Sequence, residues 1–457
     1  MRPSLHCSIY LTFLWIPVYY AKETLQSAQS RFINELSQYT KELEIKINTI
    51  EGFLAEVRAK RQQWSPDPEA YVANPLNSYA LTRRLHEDWS YFEAYISESV
   101  GPARVANVNK LIEMESPKVE ELDKAMEALL YLQSHYDLDA KQLSEGIIDR
   151  NKYSFQLSTL DCFALAEFCQ QRSLQQFALA WQKAALEQFN YAQHAELYGE
   201  VYQLSITDLY RMYVTMLSNS GNIEEALDVL NYVADSHISL WLQRRALQKF
   251  GQQLKANNQH KLEYVTTAQR GCRGQFPAVR KLFCYYSNST EPFLMLARFR
   301  VELLSMKPYV ALYHNVIYDK EIEELLNIRQ DSIKYDRTEQ YASKTINLEL
   351  NHALHNRLRA MTGMNLDFGK DFVLQYDGLA VKAEKQQSRS GSLKASITLF
   401  LNDLPQGGAT IFPDHQLYIK PEKGAALISH GLEAQRRLNY FSCPVLVGCK
   451  WTLTQRI

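Results

Sequence analysis

The stretch from Ala395 to Trp451 limits what this chain can fold into, because it reads as a run of short strands parted by turns. Ile397, Thr398, Leu399, Phe400 and Leu401 have the branched, apolar character of a buried strand, and Asn402-Asp403 opens a turn. Gly407 and Gly408 then lead into Ala409-Thr410-Ile411-Phe412-Pro413. Two more strands follow at 424–429 and 444–451. Short strands with glycine turns predict a sandwich or roll.

Gly407-Gly408-Ala409-Thr410 with Phe412-Pro413, and Cys443-Pro444-Val445-Leu446-Val447-Gly448 with Lys450-Trp451, resemble segments of the collagen prolyl 4-hydroxylase α-subunit family. The resemblance implies an α+β multi-domain protein: a helical, coiled-coil and tetratricopeptide-like N-terminal half, then a C-terminal double-stranded β-helix (jelly-roll) oxygenase-type domain at 309–457. It implies iron(II), 2-oxoglutarate and ascorbate as cofactors. In that family a His-x-Asp pair and a second His hold the iron and leave positions open for 2-oxoglutarate and oxygen. Here the pair falls at Gln386-Gln387-Ser388 and the second His position is Tyr440. The histidines after Asp371 are His415 and His430, and neither begins a His-x-Asp or His-x-Glu. An amide, a hydroxyl and a phenol replace the donors, and a phenol binds metal well only once deprotonated. Lys450 stands where the family's ammonium meets the distal carboxylate of 2-oxoglutarate; the alternative is a lysine whose stem packs while its head reaches water.

The chain has 457 residues with a hydrophobic fraction of 46%, enough for several cores, and its 50 basic against 51 acidic residues leave no footprint for nucleic acid. Arg2 followed by the apolar run from Ile9 to Val18 reads as a secretory signal over 1–21, with an uncleaved interfacial segment as the alternative. No other stretch reads as transmembrane, and the endoplasmic reticulum lumen is the expected compartment. The chain does not end on a Lys-Asp-Glu-Leu type signal, so residence there would depend on a partner. An oxidising lumen permits disulfides. The resemblance pairs Cys272 with Cys284, a short loop worth about 3 kcal/mol, and leaves Cys443 free. Asn288 heads a glycosylation sequon. Cys162 and Cys169 read as packed helical thiols.

From Leu25 to Val57 apolar residues recur at threes and fours (Phe32, Leu36, Tyr39, Leu43, Ile47, Ile50, Leu54), the seam of a coiled coil of about five heptads. The resemblance makes 22–150 a dimerisation domain; one helix of a monomeric bundle would carry the same stripe. The strings His86-Glu87-Asp88 and His135-Tyr136-Asp137 match His-x-Asp by chance, in helical context far from the strands. Two helical hairpins, 161–186 and 210–234, lie in a tetratricopeptide-like region at 155–255. Ala178 and Ala185 keep a seven-residue spacing that Ala226 and Val233 repeat. In the family this region binds the proline-rich chain. Tyr191, Tyr198, Tyr202, Tyr210 and Tyr213 offer aromatic faces for polyproline II, or pack between helices. A linker is expected at 256–308.

The expectation is an α-subunit-like protein that binds proline-rich or collagen-like peptide without hydroxylating it. Its partners would be a second α subunit and protein disulfide isomerase, the family's β subunit. One alternative is an active procollagen-proline dioxygenase whose unorthodox iron site draws in His430 or Asp377. Another is a structural partner of disulfide isomerase, which would fail to bind poly-proline.

Overall fold

The computed structural model describes residues 16–64, 68–189, 191–233, 237–254, 265–277, 283–288, 291–327, 341–346, 352–363, 372–377, 395–430 and 440–456. The chain forms two compact units, Met1–Lys118 and Val119–Ile457.

The first unit is helical: α1 (Ile16–Trp64), α2 (Pro68–Ala73), α3 (Pro75–Arg83), a π-helical turn (Arg84–Asp88), α4 (Trp89–Ser97) and α5 (Pro102–Glu115). Pro68, Pro75 and Pro102 open helices at the first position, where the missing N–H costs nothing. Phe32, Tyr39, Leu43, Ile50, Leu54 and Val57 of the α1 seam are half-buried, whereas Leu25, Leu36 and Ile47 remain more than half exposed. Arg104 donates to Glu42 (3.1 Å) and Asn107 to Glu35 (3.3 Å), laying α5 along α1. Phe53 stacks on Phe92 with centroids 3.7 Å apart. Lys46 donates to the carbonyls of Ile96 and Glu98 at the end of α4, where a cation suits the helix dipole. No residue of α3, α4 or α5 is fully buried.

The second unit begins with α6 (Val119–Tyr136), α7 (Ala140–Ser144) and the small β1–β2 ladder (Ile147–Ile148, Asn151–Lys152). Then come α8 (Thr159–Gln171), α9 (Gln175–Gln188), α10 (Tyr191–Glu200), α11 (Ile206–Asn219), α12 (Ile223–Val233), α13 (Ile238–Leu254) and α14 (Thr267–Cys272). Reciprocal capping boxes, Ser158 with Asp161 and Ser205 with Asp208, start α8 and α11. Trp181, Ala184, Ala185, Cys162 and Cys169 pack one helical core and Val214, Leu217, Ala226 and Leu230 the next. The alanines at the seven-residue spacing are buried, which lets the helices approach.

The sheet region comprises β3 (Phe283–Ser287), β4 (Phe299–Met306), β5 (Tyr309–His314), α15 (Asp319–Asn327), β6 (Tyr341–Ile346), α16 (His352–Thr362), β7 (Phe372–Asp377) and β8 (Ala395–Phe400). It continues with β9 (Gln406–Gly407), β10 (Thr410–Phe412), β11 (Leu417–Ile419), β12 (Ala426–His430), β13 (Phe441–Ser442), β14 (Val445–Val447) and β15 (Lys450–Arg456). An antiparallel eight-stranded sheet runs β3-β4-β5-β12-β8-β15-β7-β6, and a three-stranded sheet runs β11-β10-β13. Val310, Leu312, Phe400 and Leu427 of the large sheet pack on Phe412, Leu417 and Ile419 of the small one. β8 is covered on both faces and so reads as a continuous apolar run rather than an alternation. The large sheet starts inside the expected linker: Phe299 and Val301 point inward between Arg300 and Glu302.

The disulfide corrects the expected pairing. Cys272 is bonded to Cys443, with Cα atoms 5.6 Å apart, and Cys284 is an exposed thiol. Cys284 lies on edge strand β3 opposite Glu302, whereas α14 packs on β10 and brings Cys272 into a cluster with Ala409, Ile411 and Cys443. Gly271 permits this approach, since a Cβ there would stand 2.5 Å from the Phe276 ring and 2.9 Å from Ile411.

Candidate functional site

The first residue of β15, Lys450, is directly opposite the last residue of β7, Asp377, in the antiparallel register. Side chains of such a pair leave the sheet on the same face. Both are buried, at 3% and 5% exposure. This face also carries Phe400, opposite Thr452, and looks into the space between the sheets. The Lys450 ammonium donates to Ser442 Oγ (2.8 Å) and reaches Thr410 Oγ1 (3.5 Å), with the Phe400 ring 5.7 Å away. Ser442 also hydrogen-bonds Asp377, and Gln375 Nε2 donates to Asp377 Oδ1 (2.8 Å). A hydroxyl that accepts from an ammonium keeps its own hydrogen for a carboxylate, so Ser442 links the two charges.

The lysine head therefore does not reach water. Loss of hydration pushes its pKa down to about 8, against the attraction of Asp377. Burial likewise raises Asp377, opposed by Lys450, Gln375 and Ser442. The cluster draws on β7, β10, β13 and β15, and within it the buried ammonium already faces a carboxylate of the chain itself.

Tyr440, just before β13, is half-buried against the apolar core, its ring 5.9 Å from that of Phe412. Gln386 and Ser388 lie outside the described residues. His430 stacks on Tyr309 at 4.8 Å. Period-two alternation sets it on the face opposite Leu427, away from Lys450. His415 is exposed in a turn. Among the described residues no three His, Cys, Asp or Glu side chains form a group that could hold a metal ion.

The aromatic set divides. Tyr191 lies in α10, its side chain outside the described residues. Tyr198 is buried between Phe189 and Tyr202, Tyr210 packs on the second helical core, and Tyr213 is buried with its hydroxyl donating to Glu225 (3.1 Å). Tyr202 is 51% exposed. Asn288 is exposed after β3.

Sequence reasoning missed the docking of the helical part on the sheets. Tyr136 Oη donates to the Pro444 carbonyl (2.5 Å), Tyr153 Oη to Gln406 Oε1 (3.1 Å), and Arg273 to the carbonyls of Ser134 and His135. Beside this contact a cavity of about 540 Å³ is lined by Tyr136, Arg273, Phe276, Glu302, Tyr418 and Lys420, and it does not include the Lys450 cluster. His135 lies between Tyr131 and Tyr136, and its Nε2 has no hydrogen-bond partner among the described residues. Burial and the Arg273 charge push its pKa down to about 4. With the folded value below the unfolded one, the unfolded chain binds the proton first as pH falls from 6.5 toward 4. Stability is lost through that window, by about 3 kcal/mol at its end. Urea unfolding at stepped pH should give this slope in the native protein and a flatter one in His135→Phe; equal slopes would place the acid sensitivity elsewhere.

Residues 20–150 match the family described as Prolyl 4-Hydroxylase alpha-subunit, N-terminal region. The chain is 24% identical to chicken (Gallus gallus) prolyl 4-hydroxylase subunit alpha-2, covering 93% of this chain and 89% of that one. It is 26% identical to the Caenorhabditis elegans subunit alpha-2 (91% and 86%) and 22% identical to the human subunit alpha-1 (92% and 89%). A solved viral collagen prolyl hydroxylase from Paramecium bursaria Chlorella virus-1 overlaps 34% of the chain and 97% of its own, with 16% identity and a TM-score of 0.26, too slight an overlap to inform the fold. The end-to-end matches to α subunits and the N-terminal family match agree, and together they support assignment of the chain to the prolyl 4-hydroxylase α-subunit family.

Proposed function

We propose that this protein is a peptide-binding α-subunit-like member of the family that does not hydroxylate proline. The observation that carries this is Tyr440, whose phenol is folded against Phe412 at the position where the family's second histidine stands. The family's iron(II) does not fit the residues present, because the sequence offers Gln386, Ser388 and Tyr440 for two imidazoles and a carboxylate. His430 faces away, and Asp377 is engaged by Lys450. Ascorbate has no iron to serve there.

In this proposal residues 155–255 form the tetratricopeptide-like peptide site and the two packed sheets a double-stranded β-helix. Tyr202 supplies an open aromatic face for a polyproline II chain, with Tyr198 edge-on behind it. Residues 22–150 pair with a second α subunit. The exposure of Leu25, Leu36 and Ile47 on α1, and of Leu76, Leu85 and Trp89 beyond it, supports a partner on these faces. Signal removal, residence in the endoplasmic reticulum lumen, glycosylation at Asn288 and partnership with disulfide isomerase complete the proposal. No helix among the described residues is long and apolar enough to cross a membrane.

The test is 2-oxoglutarate turnover by the full chain, co-expressed with a disulfide isomerase, on a proline-rich collagen-like peptide with ferrous iron and ascorbate. Succinate should stay at background while the peptide binds, and Tyr202→Ala should weaken binding about tenfold (about 1.4 kcal/mol). Iron-dependent hydroxyproline would overturn the proposal, and absent peptide binding would favour a purely structural partner of the isomerase.

A further inference from the structure

We propose that Asp377 is a built-in carboxylate that occupies the Lys450 subsite electrostatically and closes it to dicarboxylate ligands. The proposal rests on the reading of this cup as a descendant of a 2-oxoglutarate site. It adds that the cosubstrate is excluded by a residue of the chain itself, apart from any loss of iron ligands.

The geometry is that of an internal substitute. A lysine head buried between two sheets needs an anion. Here the register of β7 on β15 provides one on the same face, with Ser442 joining the two. Gln375 Nε2 holds the carboxylate from the residue two places back on the same strand, fixing its orientation. Ser442 and Thr410, the hydroxyls that could meet an incoming carboxylate, already surround the ammonium. A dicarboxylate brought to Lys450 would set a second negative charge beside Asp377 in a space removed from water, where like charges repel far more than in solvent. With Asp377 in place the subsite is electrically complete.

This predicts a gain of binding when the charge is removed. Full-length protein, co-expressed with disulfide isomerase, would be titrated calorimetrically with 2-oxoglutarate and with succinate. Wild type should give no heat above background, whereas Asp377→Asn should bind both at least tenfold more tightly. The gain should vanish in the Asp377→Asn, Lys450→Met double variant. Butyrate, with one carboxylate and a similar chain, should gain much less than succinate.

Wild-type binding as tight as that of Asp377→Asn would overturn the proposal, as would a folded Asp377→Asn with no gain. Should Asp377→Asn fail to fold, a Lys450→Gln, Asp377→Asn variant that melts near wild type would establish Asp377 as the counter-ion that makes the buried lysine tolerable. A double variant no more stable than Asp377→Asn would reject it. Binding of the proline-rich peptide, measured on the same samples, separates this from the proposed function. Loss of peptide binding in wild type sinks only that reading, and an absent dicarboxylate gain with peptide binding intact sinks only this one.

Discussion

Cys443→Ser is expected to destabilise the second unit by about 5 kcal/mol on the chain-entropy account, because the bond to Cys272 closes a loop with a sequence separation of 171. Native-state strain and residual structure in the unfolded chain lower such values, so about 5 kcal/mol is the upper end. The bridge also fastens α14 to the small sheet through the cluster of Ala409, Ile411, Phe276 and Phe441, which the serine would leave with a polar group in an apolar setting. Cys284→Ser, on an exposed edge position, should change stability by less than about 0.5 kcal/mol. Thermal melts of both variants under non-reducing conditions, with digestion and mass mapping of the linked peptides, test this. A damaging Cys284→Ser beside a silent Cys443→Ser would mean that Cys272 and Cys284 are the bonded pair in solution.

Trp181→Ala should cost about 3–5 kcal/mol, because the indole is fully buried at the centre of the first helical core. A further cost comes from Gln133, whose Oε1 accepts the indole N–H at 2.9 Å and would lose that partner. Trp181→Phe keeps most of the volume and removes the hydrogen bond, so it should cost about 1–2 kcal/mol. Urea unfolding of the two variants separates packing from hydrogen bonding. A loss under about 1.5 kcal/mol for Trp181→Ala would show that α6, α8 and α9 close over the gap.

What could be read from the sequence was whatever its local pattern carries. The apolar run of Ile397 to Leu401 and the glycine turns at Gly407 and Gly408 follow from composition over a few residues, and each is present. The alanines at seven-residue spacing read correctly because small side chains matter only where helices meet. The α1 seam read in part: Leu25, Leu36 and Ile47 fit the spacing yet stay exposed, since spacing names a stripe and not what covers it.

What could not be read depends on pairings between distant segments. Strand β3 is open to solvent at four of its five positions and has no alternation to betray it. The Cys272 partner is decided by α14 docking on β10, which neither cysteine's neighbours encode. The Lys450–Asp377 pair exists only through the β7–β15 register; from the sequence alone Asp377 was merely a conceivable iron ligand. Tyr198 and Tyr213 fit the helical spacing of an aromatic groove, but burial turned them into packing residues, and Tyr202 alone of the described set keeps an open face.

Strand β15 has an implication for how the protein is made. It lies inside the large sheet, between β8 and β7, although it follows the other described strands of that sheet in sequence. On a ribosome β7 and β6 must wait beside a gap until Lys450 to Arg456 emerges, and β8 waits with one edge bare. Both edges of that gap are unpaired templates for other strands in the interval. Nascent chains of this protein should therefore need holding by chaperones until β15 inserts, and a stop codon that removes β15 should leave a sheet in two pieces rather than a shortened one.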